Sequence, residues 1–202
     1  MTLPRPDYPR PRLARTAWRN LNGPWSFALA GDADLDAGPP DRSLYDREIV
    51  VPFPPESALS GIGDTGFHAS LWYRRTVRIP EAWAGLRTFL HVGACDYRAA
   101  VFLDGARVGE HAGGSAPFRL DLTDAARPGT EQELVIHAVD EIRSGVQPGG
   151  KQCRERESHG CWYTRVSGIW QTVWLEAVHP LGLNTLQVLP DLAGGRATLI
   201  PT

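Results

Sequence analysis

The chain has 202 residues, a formal net charge of -2, 42% hydrophobic and 22% charged residues. That length suits one large domain plus a fragment, and the composition lacks the basic excess that nucleic-acid binding demands. No run approaches the roughly eighteen apolar residues of a membrane-spanning helix. The 21 Gly and 17 Pro are spread along the whole chain, which favours many short strands joined by turns over helices.

Residues 1–15 read as an extended arm, because Pro4, Pro6, Pro9 and Pro11 each remove a backbone donor and fix φ. This Pro/Arg-rich start has no apolar stretch of the kind a signal peptide needs. The three cysteines, Cys95, Cys153 and Cys161, are an odd number in a chain large enough to need no disulfides. A reducing, cytoplasmic setting is therefore expected.

Arg19 to Pro24 forms a turn cluster, and the alternation of Trp25 to Leu29 predicts a strand. After a polar loop from Gly31 to Arg42, a short strand over Glu48–Val51 stops at Pro52. Pro52 to Ser70 is long and irregular, and Phe53, Ile62 and Phe67 mark it as an ordered loop. Leu71–Ile79 is the next strand. Pro80 closes it and opens a helical turn in EAWAG, and a strand over Arg87–Val92 follows. RAAVFL and ARVGEH flank Asp104-Gly105, the signature of a type I′ hairpin. Pro117–Leu122 is a strand, and Thr123–Ala126 could cap one helical turn. Leu134–Val139 is almost continuously apolar, which predicts a central strand covered on both faces.

A second long irregular segment runs from Asp140 to Cys161 and leads into SHGCWYTRVSGIWQTVWLEAV, residues 158–178, which holds Trp162, Tyr163, Trp170 and Trp174. From Ile169 onward the apolar residues alternate, predicting a strand over Ile169–Glu176 behind a tight Ser167-Gly168 bend. Two further strands occupy LNTLQVLP and RATLIPT; two strands at a chain end cannot form an independent core. The sum is an all-β, antiparallel jelly-roll β-sandwich with no internal repeat.

Five motifs in order, WRNLNGPWSF, VPFPPESALSGI, LWYRRTVRIP, HVGACDYRAAVFLDGARVGEHAGGSAPFRLDLT and SGIWQTVWLEAV, resemble the N-terminal sugar-binding domain of glycoside hydrolase family 2, the β-galactosidases, β-glucuronidases and β-mannosidases. The resemblance runs from about Trp18 to about Val178. It implies a galactose-binding-domain-like jelly roll, followed in the family by an immunoglobulin-like sandwich and a (β/α)8 barrel. The implied division is an arm at 1–15, the sugar-binding domain at 16–180, and the first strands of a truncated immunoglobulin-like domain at 181–202. Retaining hydrolysis needs two carboxyl groups about 5 Å apart, and in the family both belong to the barrel, so this chain alone is expected to be inactive. The implied partners are a β-glycoside and the family's other two domains, with an oligomer left open and no cofactor. The alternatives are a free-standing glycan-binding module and a purely structural domain.

Candidate substrate-binding residues are Trp162, Tyr163, Arg165, Glu56 and Asp96. In galactosidase and glucuronidase members an Asp that contacts the sugar stands where this chain has Trp162, which suggests an aromatic platform instead; the other reading is that Trp162 plugs the sandwich rim. Arg165 could pair with a carboxylate of the barrel or substrate, or with Glu155 or Glu157. Asp96 matches a position that is mainly structural, capping a turn. Glu56, with Ser57, Asp64 and His68, could line the same cleft or serve only to solvate a loop. Trp170 and Trp174 read as core or interface residues. Cys153, His159 and Cys161 have a spacing unlike a standard zinc knuckle, so no metal site is assigned. Asp140 and Glu141 are adjacent in sequence and cannot share a strand face as an acid/base pair.

Overall fold

A computed structural model describes residues 2–10, 13–29 and 34–202; Met1, Pro11, Arg12 and residues 30–33, which belong to the expected arm and first loop, lie outside the described residues. The described strands are β1 (Trp18–Asn20), β2 (Gly23–Leu29), β3 (Arg47–Val51), β4 (Ser70–Arg78), β5 (Arg87–Val92), β6 (Cys95–Asp96), β7 (Arg98–Leu103), β8 (Ala106–Ala112), β9 (Phe118–Asp121), β10 (Glu131–Val139), β11 (Gly168–Ile169), β12 (Val173–Val178), β13 (Leu186–Asp191) and β14 (Arg196–Pro201).

A six-stranded sheet, β3-β2-β4-β10-β7-β8, and a four-stranded sheet, β1-β12-β5-β9, enclose the core, and every strand pairing is antiparallel. This is the expected all-β jelly-roll sandwich. Phe27, Leu71, Tyr73, Val101 and Ile136 from the larger sheet share one apolar cluster with Leu90, Val92, Val173 and Leu175 from the smaller. Burying each large side chain contributes about 1.5–3 kcal/mol.

Strand β10 lies between β4 and β7, which explains its apolar run. Leu134, Ile136 and Ala138 enter the main core. Val135 and Val139 point the other way, into a second cluster with Trp72, Phe102 and Leu35 on the outer face of the sheet. His137 sits on that same outer side, stacked on Trp72 at 3.7 Å between ring centroids. The β7–β8 hairpin turns through Asp104 at φ 49° and Gly105 at φ 82°, as a type I′ turn requires. The Asp104 carboxylate also accepts from Glu133 N at 2.8 Å and Gln132 Nε2 at 2.7 Å, tying the turn to β10.

Some local expectations need correction. Part of the expected turn cluster at 19–24 is strand β1, which lies at the sheet edge and pairs with β12. Pro80 caps a single 3-10 turn at Glu81–Trp83 rather than occupying its first position. Thr123–Ala126 is a turn and not a helix, with Ala125 N and Ala126 N both donating to Leu122 O, at 2.9 and 2.7 Å.

The expected single strand over Ile169–Glu176 is two. Ile169 pairs with Cys95 and Val173 with Val92, so three residues, 170–172, stand opposite two, 93–94. One extra residue on one side is a β-bulge, which bends the strand and re-aims its side chains. Strands β13 and β14 form a hairpin that pairs only with itself among the described strands, and it exposes Val188, Leu189, Leu199 and Ile200.

Candidate functional site

Two long loops, 52–69 and 140–167, meet at one end of the sandwich, and Arg165 holds them together. Its guanidinium is buried, with 2% of the residue exposed. Nη1 donates to Glu155 O at 2.7 Å and Cys153 O at 3.4 Å within its own loop. Nη2 donates to Thr65 O and, at 3.1 Å, to Gly66 O in the other loop. The same group lies over the Phe67 ring, 3.9 Å from its centroid. Arg165 thus meets the backbone carbonyl of Glu155, not its carboxylate.

Next to Arg165 the chain turns at Ser167-Gly168. Gly168 has φ 67°, and a Cβ there would collide with the Tyr73 hydroxyl. That hydroxyl accepts from Ile169 N at 3.2 Å, so the bend is pinned to the core of β4. Ser167 N donates to Glu56 Oε2 at 3.2 Å, a second tie between the two loops.

Below the loops lie three buried carboxyl groups. Glu56, Asp96 and Asp140 each have one oxygen that is buried without a hydrogen-bond partner, Oε1, Oδ1 and Oδ2 respectively. The other oxygen of Asp96 accepts from Gln152 Nε2, and that of Asp140 from Gln147 Nε2, both at 2.7 Å. Burial pushes Glu56 up to about 7 despite its bond from Ser167, with the nearby Asp140 adding to the rise. Burial followed by Asp140 raises Asp96 to about 6. Asp140 is raised as well, mainly by burial and against its bond to Gln147. Desolvation of the charged form is the cause in each case.

Trp162 and Tyr163 stand apart from this network. They lie on the outside of the second loop, 44% and 65% exposed. Their backbone is fixed by Trp162 N to His159 O at 2.9 Å, Tyr163 N to Lys151 O at 2.8 Å and Cys153 N to Tyr163 O at 2.7 Å. Trp162 forms one side of a cavity of about 340 Å³ with Gly150, Glu155 and His159. Arg165, Asp140, Ser167 and His68 line a different cavity of about 410 Å³, and Asp96 lines a third. Glu56, Arg165 and Asp96 thus belong to the polar interior beneath the loops, and the two aromatic candidates to their outer edge.

Of the other residues considered, Ser57 caps the short 3-10 turn at Ala58–Ser60. Asp64 Oδ1 accepts from Gly66 N at 2.8 Å, and Asp64 Oδ2 lies 3.0 Å from His68 Nε2. Cys153 Sγ donates to Glu157 O at 3.4 Å. No group of three or more His, Cys, Asp or Glu among the described residues is arranged to hold a metal ion. Trp174 is buried on the outer face of β12, stacked on His91 at 4.7 Å, and its Nε1 donates to Glu176 Oε1 at 2.7 Å. Tyr8 of the arm donates to the same carboxylate oxygen.

Sequence reasoning missed Gln147, Gln152 and the buried role of Asp140. Their only signal was an acidic residue directly after an apolar strand, which local pattern cannot tell from a solvated loop residue.

The fold is a β-sandwich whose two long loops bring buried polar groups and the exposed Trp162 and Tyr163 together. No family model matches the chain. It is similar to a β-glucuronidase of Paenibacillus borealis, 27% identical over 150 residues, covering 71% of this chain and 24% of that protein. A β-galactosidase of Thermoanaerobacter pseudethanolicus is 28% identical over 120 residues, 59% of this chain and 15% of its own length. Among solved structures, the Faecalibacterium prausnitzii β-glucuronidase superposes with a TM-score of 0.69 at 22% identity, over 96% of this chain and 37% of that one. A glycosyl hydrolase family 2 member from Bacteroides cellulosilyticus gives 0.60 over 85% and 23%. The chain is therefore similar in sequence and fold to part of the family 2 glycoside hydrolases, and it spans about a quarter or less of the length of these curated relatives.

Proposed function

We propose that the chain is the N-terminal sugar-binding domain of a family 2 glycoside hydrolase that cleaves β-glycosidic linkages with retention, both catalytic carboxylates lying in a barrel outside this chain. The observation that carries this reading is the coverage: the β-glucuronidase fold of Faecalibacterium prausnitzii matches 96% of this chain while the match takes up only 37% of that chain. In this reading residues 1–15 are an arm, 16–180 the sugar-binding domain, and the self-paired hairpin of β13 and β14 begins an immunoglobulin-like domain. The hairpin's exposed apolar residues support that division, since a following domain would cover them.

The partner is a β-glycoside. A Ruminococcus gnavus β-glucuronidase of the same fold, TM-score 0.66, was solved in complex with D-glucuronic acid. The outer loop edge, with Trp162 and Tyr163, borders the shared site, and the Arg165 staple together with Glu56 and Asp96 sets the position of that edge. An exposed indole at 44% can stack on the apolar face of a sugar ring. Three free thiols support a reducing, cytoplasmic location. No helix among the described residues is long and apolar enough to cross a membrane.

The test uses the full-length protein and nitrophenyl β-glycosides. Trp162→Ala is expected to raise KM or lower kcat, with an unchanged melting temperature. Unchanged kinetics in a well-folded variant would remove Trp162 from the site, and a full-length protein without hydrolytic activity on any β-glycoside would overturn the enzyme reading.

A further inference from the structure

The third cavity, about 620 Å³, shares Gly149, Gly150 and Gln152 with Trp162's, is lined by the double-glycine segments at 113–114 and 149–150, and falls in the size range of small-molecule sites. Asp96 and Trp170 carry its chemistry. Asp96 is 5% exposed. Its Oδ2 is held by Gln152 Nε2, while Oδ1 is buried without a partner and lies against Gly114, which lines the same cavity. A buried acceptor left unpaired is costly, so a donor entering the cavity would recover that cost.

Trp170 supplies a wall whose orientation is fixed, because its Nε1 donates to Gly114 O at 2.7 Å. Tyr97 adds a second ring, Ser115 a hydroxyl, and Lys151 a cation at the rim. Trp170 is the first residue of the bulge at 170–172 and lines this cavity.

We propose that this cavity is a second carbohydrate-binding site, taking one neutral pyranose ring whose apolar face stacks on Trp170 while a hydroxyl donates to Asp96 Oδ1. An oriented aromatic ring beside a single free carboxylate oxygen matches the two faces of a pyranose, one apolar and one rich in donors. The rim cation Lys151 disfavours a cationic ligand. The site is built from this chain's residues alone and needs neither Trp162 nor a barrel.

The experiment is an amide and indole NMR titration of the 202-residue chain with methyl β-D-glucopyranoside, methyl β-D-galactopyranoside and methyl β-D-mannopyranoside at millimolar concentration. Saturable shifts are expected at the Trp170 indole and at the amides of 113–116, which line this cavity and not that of Trp162, with at least one sugar. Asp96→Asn should weaken binding about tenfold or more, as loss of a charge-assisted hydrogen bond requires, and Trp162→Ala should leave it unchanged. Ala116→Trp, at an exposed lining position, should block binding without lowering the melting temperature, which covers the case in which Asp96→Asn fails to fold. Shifts confined to the amides around Trp162, or none with any of the three sugars, would overturn this site; the first of these results would leave the loop-edge reading standing.

Discussion

Replacing Arg165 by Met keeps the apolar stem and removes every donor of the staple. The variant loses three hydrogen bonds, to Glu155 O, Thr65 O and Gly66 O, and a longer one of 3.4 Å to Cys153 O. At a net value of about 1 kcal/mol each, the first three contribute about 3 kcal/mol. The desolvated cation 3.9 Å above Phe67 adds about 1–2 kcal/mol, while relief from burying a charge returns part of the total. The expected loss is about 4 kcal/mol out of the roughly 5–15 kcal/mol that holds a domain together. For a chain of this size that lowers Tm by about 8–16 °C. Thermal and urea denaturation followed by circular dichroism measure the loss. Limited proteolysis should at the same time reveal new cleavage within 52–69 and 140–167, because the staple joins those two loops. Arg165→Lys should fall between the two, since a single ammonium cannot fork to carbonyls on both loops. A Met variant within about 1 kcal/mol of the parent, without new cleavage, would refute the staple.

Gly168→Ala should destabilise by about 3 kcal/mol or more, because it combines a positive φ of 67° with a collision at the Tyr73 hydroxyl; chemical denaturation of the Ala variant beside Gly168→Ala/Tyr73→Phe would show partial recovery in the double variant if the hydroxyl is the obstacle. Glu56 is raised from 4.5 to about 7 in the fold, so between those values the folded state binds more protons than the unfolded, and stability falls as pH rises through that window. Glu56→Gln should reduce that slope, Asp96 and Asp140 keeping their own share of it, and exceed the parent at pH 8 by at most about 3 kcal/mol, and equal slopes for the two proteins from pH 4.5 to pH 7 would contradict the assignment. Trp72→Ala should cost about 3–5 kcal/mol in denaturant titrations, since Trp72 is 3% exposed and stacked on His137, and a loss below about 1 kcal/mol would mean that the outer cluster does not contribute as a packed unit.

Elements whose chemistry is local were legible in the residues. Asp104-Gly105 needs only two positive φ values to declare a hairpin. The apolar run at Leu134–Val139 needs cover on both faces, and β10 has it from the inner core and the Trp72 cluster. The alternation around Val173 and Leu175 pointed to a strand, yet nothing local marked the extra residue at 170–172, because a bulge is defined by what the partner strand presents at 93–94.

The candidate residues divided along the same line. Trp162, open to reading as an aromatic platform or as a plug of the sandwich rim, is exposed, as is its neighbour Tyr163. Glu56 was open to reading as a solvated loop residue, Arg165 as the partner of a carboxylate and Asp96 as a turn cap, and all three are buried. Their burial goes with contacts across 56 to 111 positions of sequence, such as Gln152 to Asp96, Ser167 N to Glu56 and Arg165 to Thr65 and Gly66. The sequence by itself determined the strands, the hairpin and the family resemblance, all of which rest on spacing and local backbone preference. Only the tertiary structure decided which polar groups lose their water, because desolvation depends on what the distant chain packs on top of them.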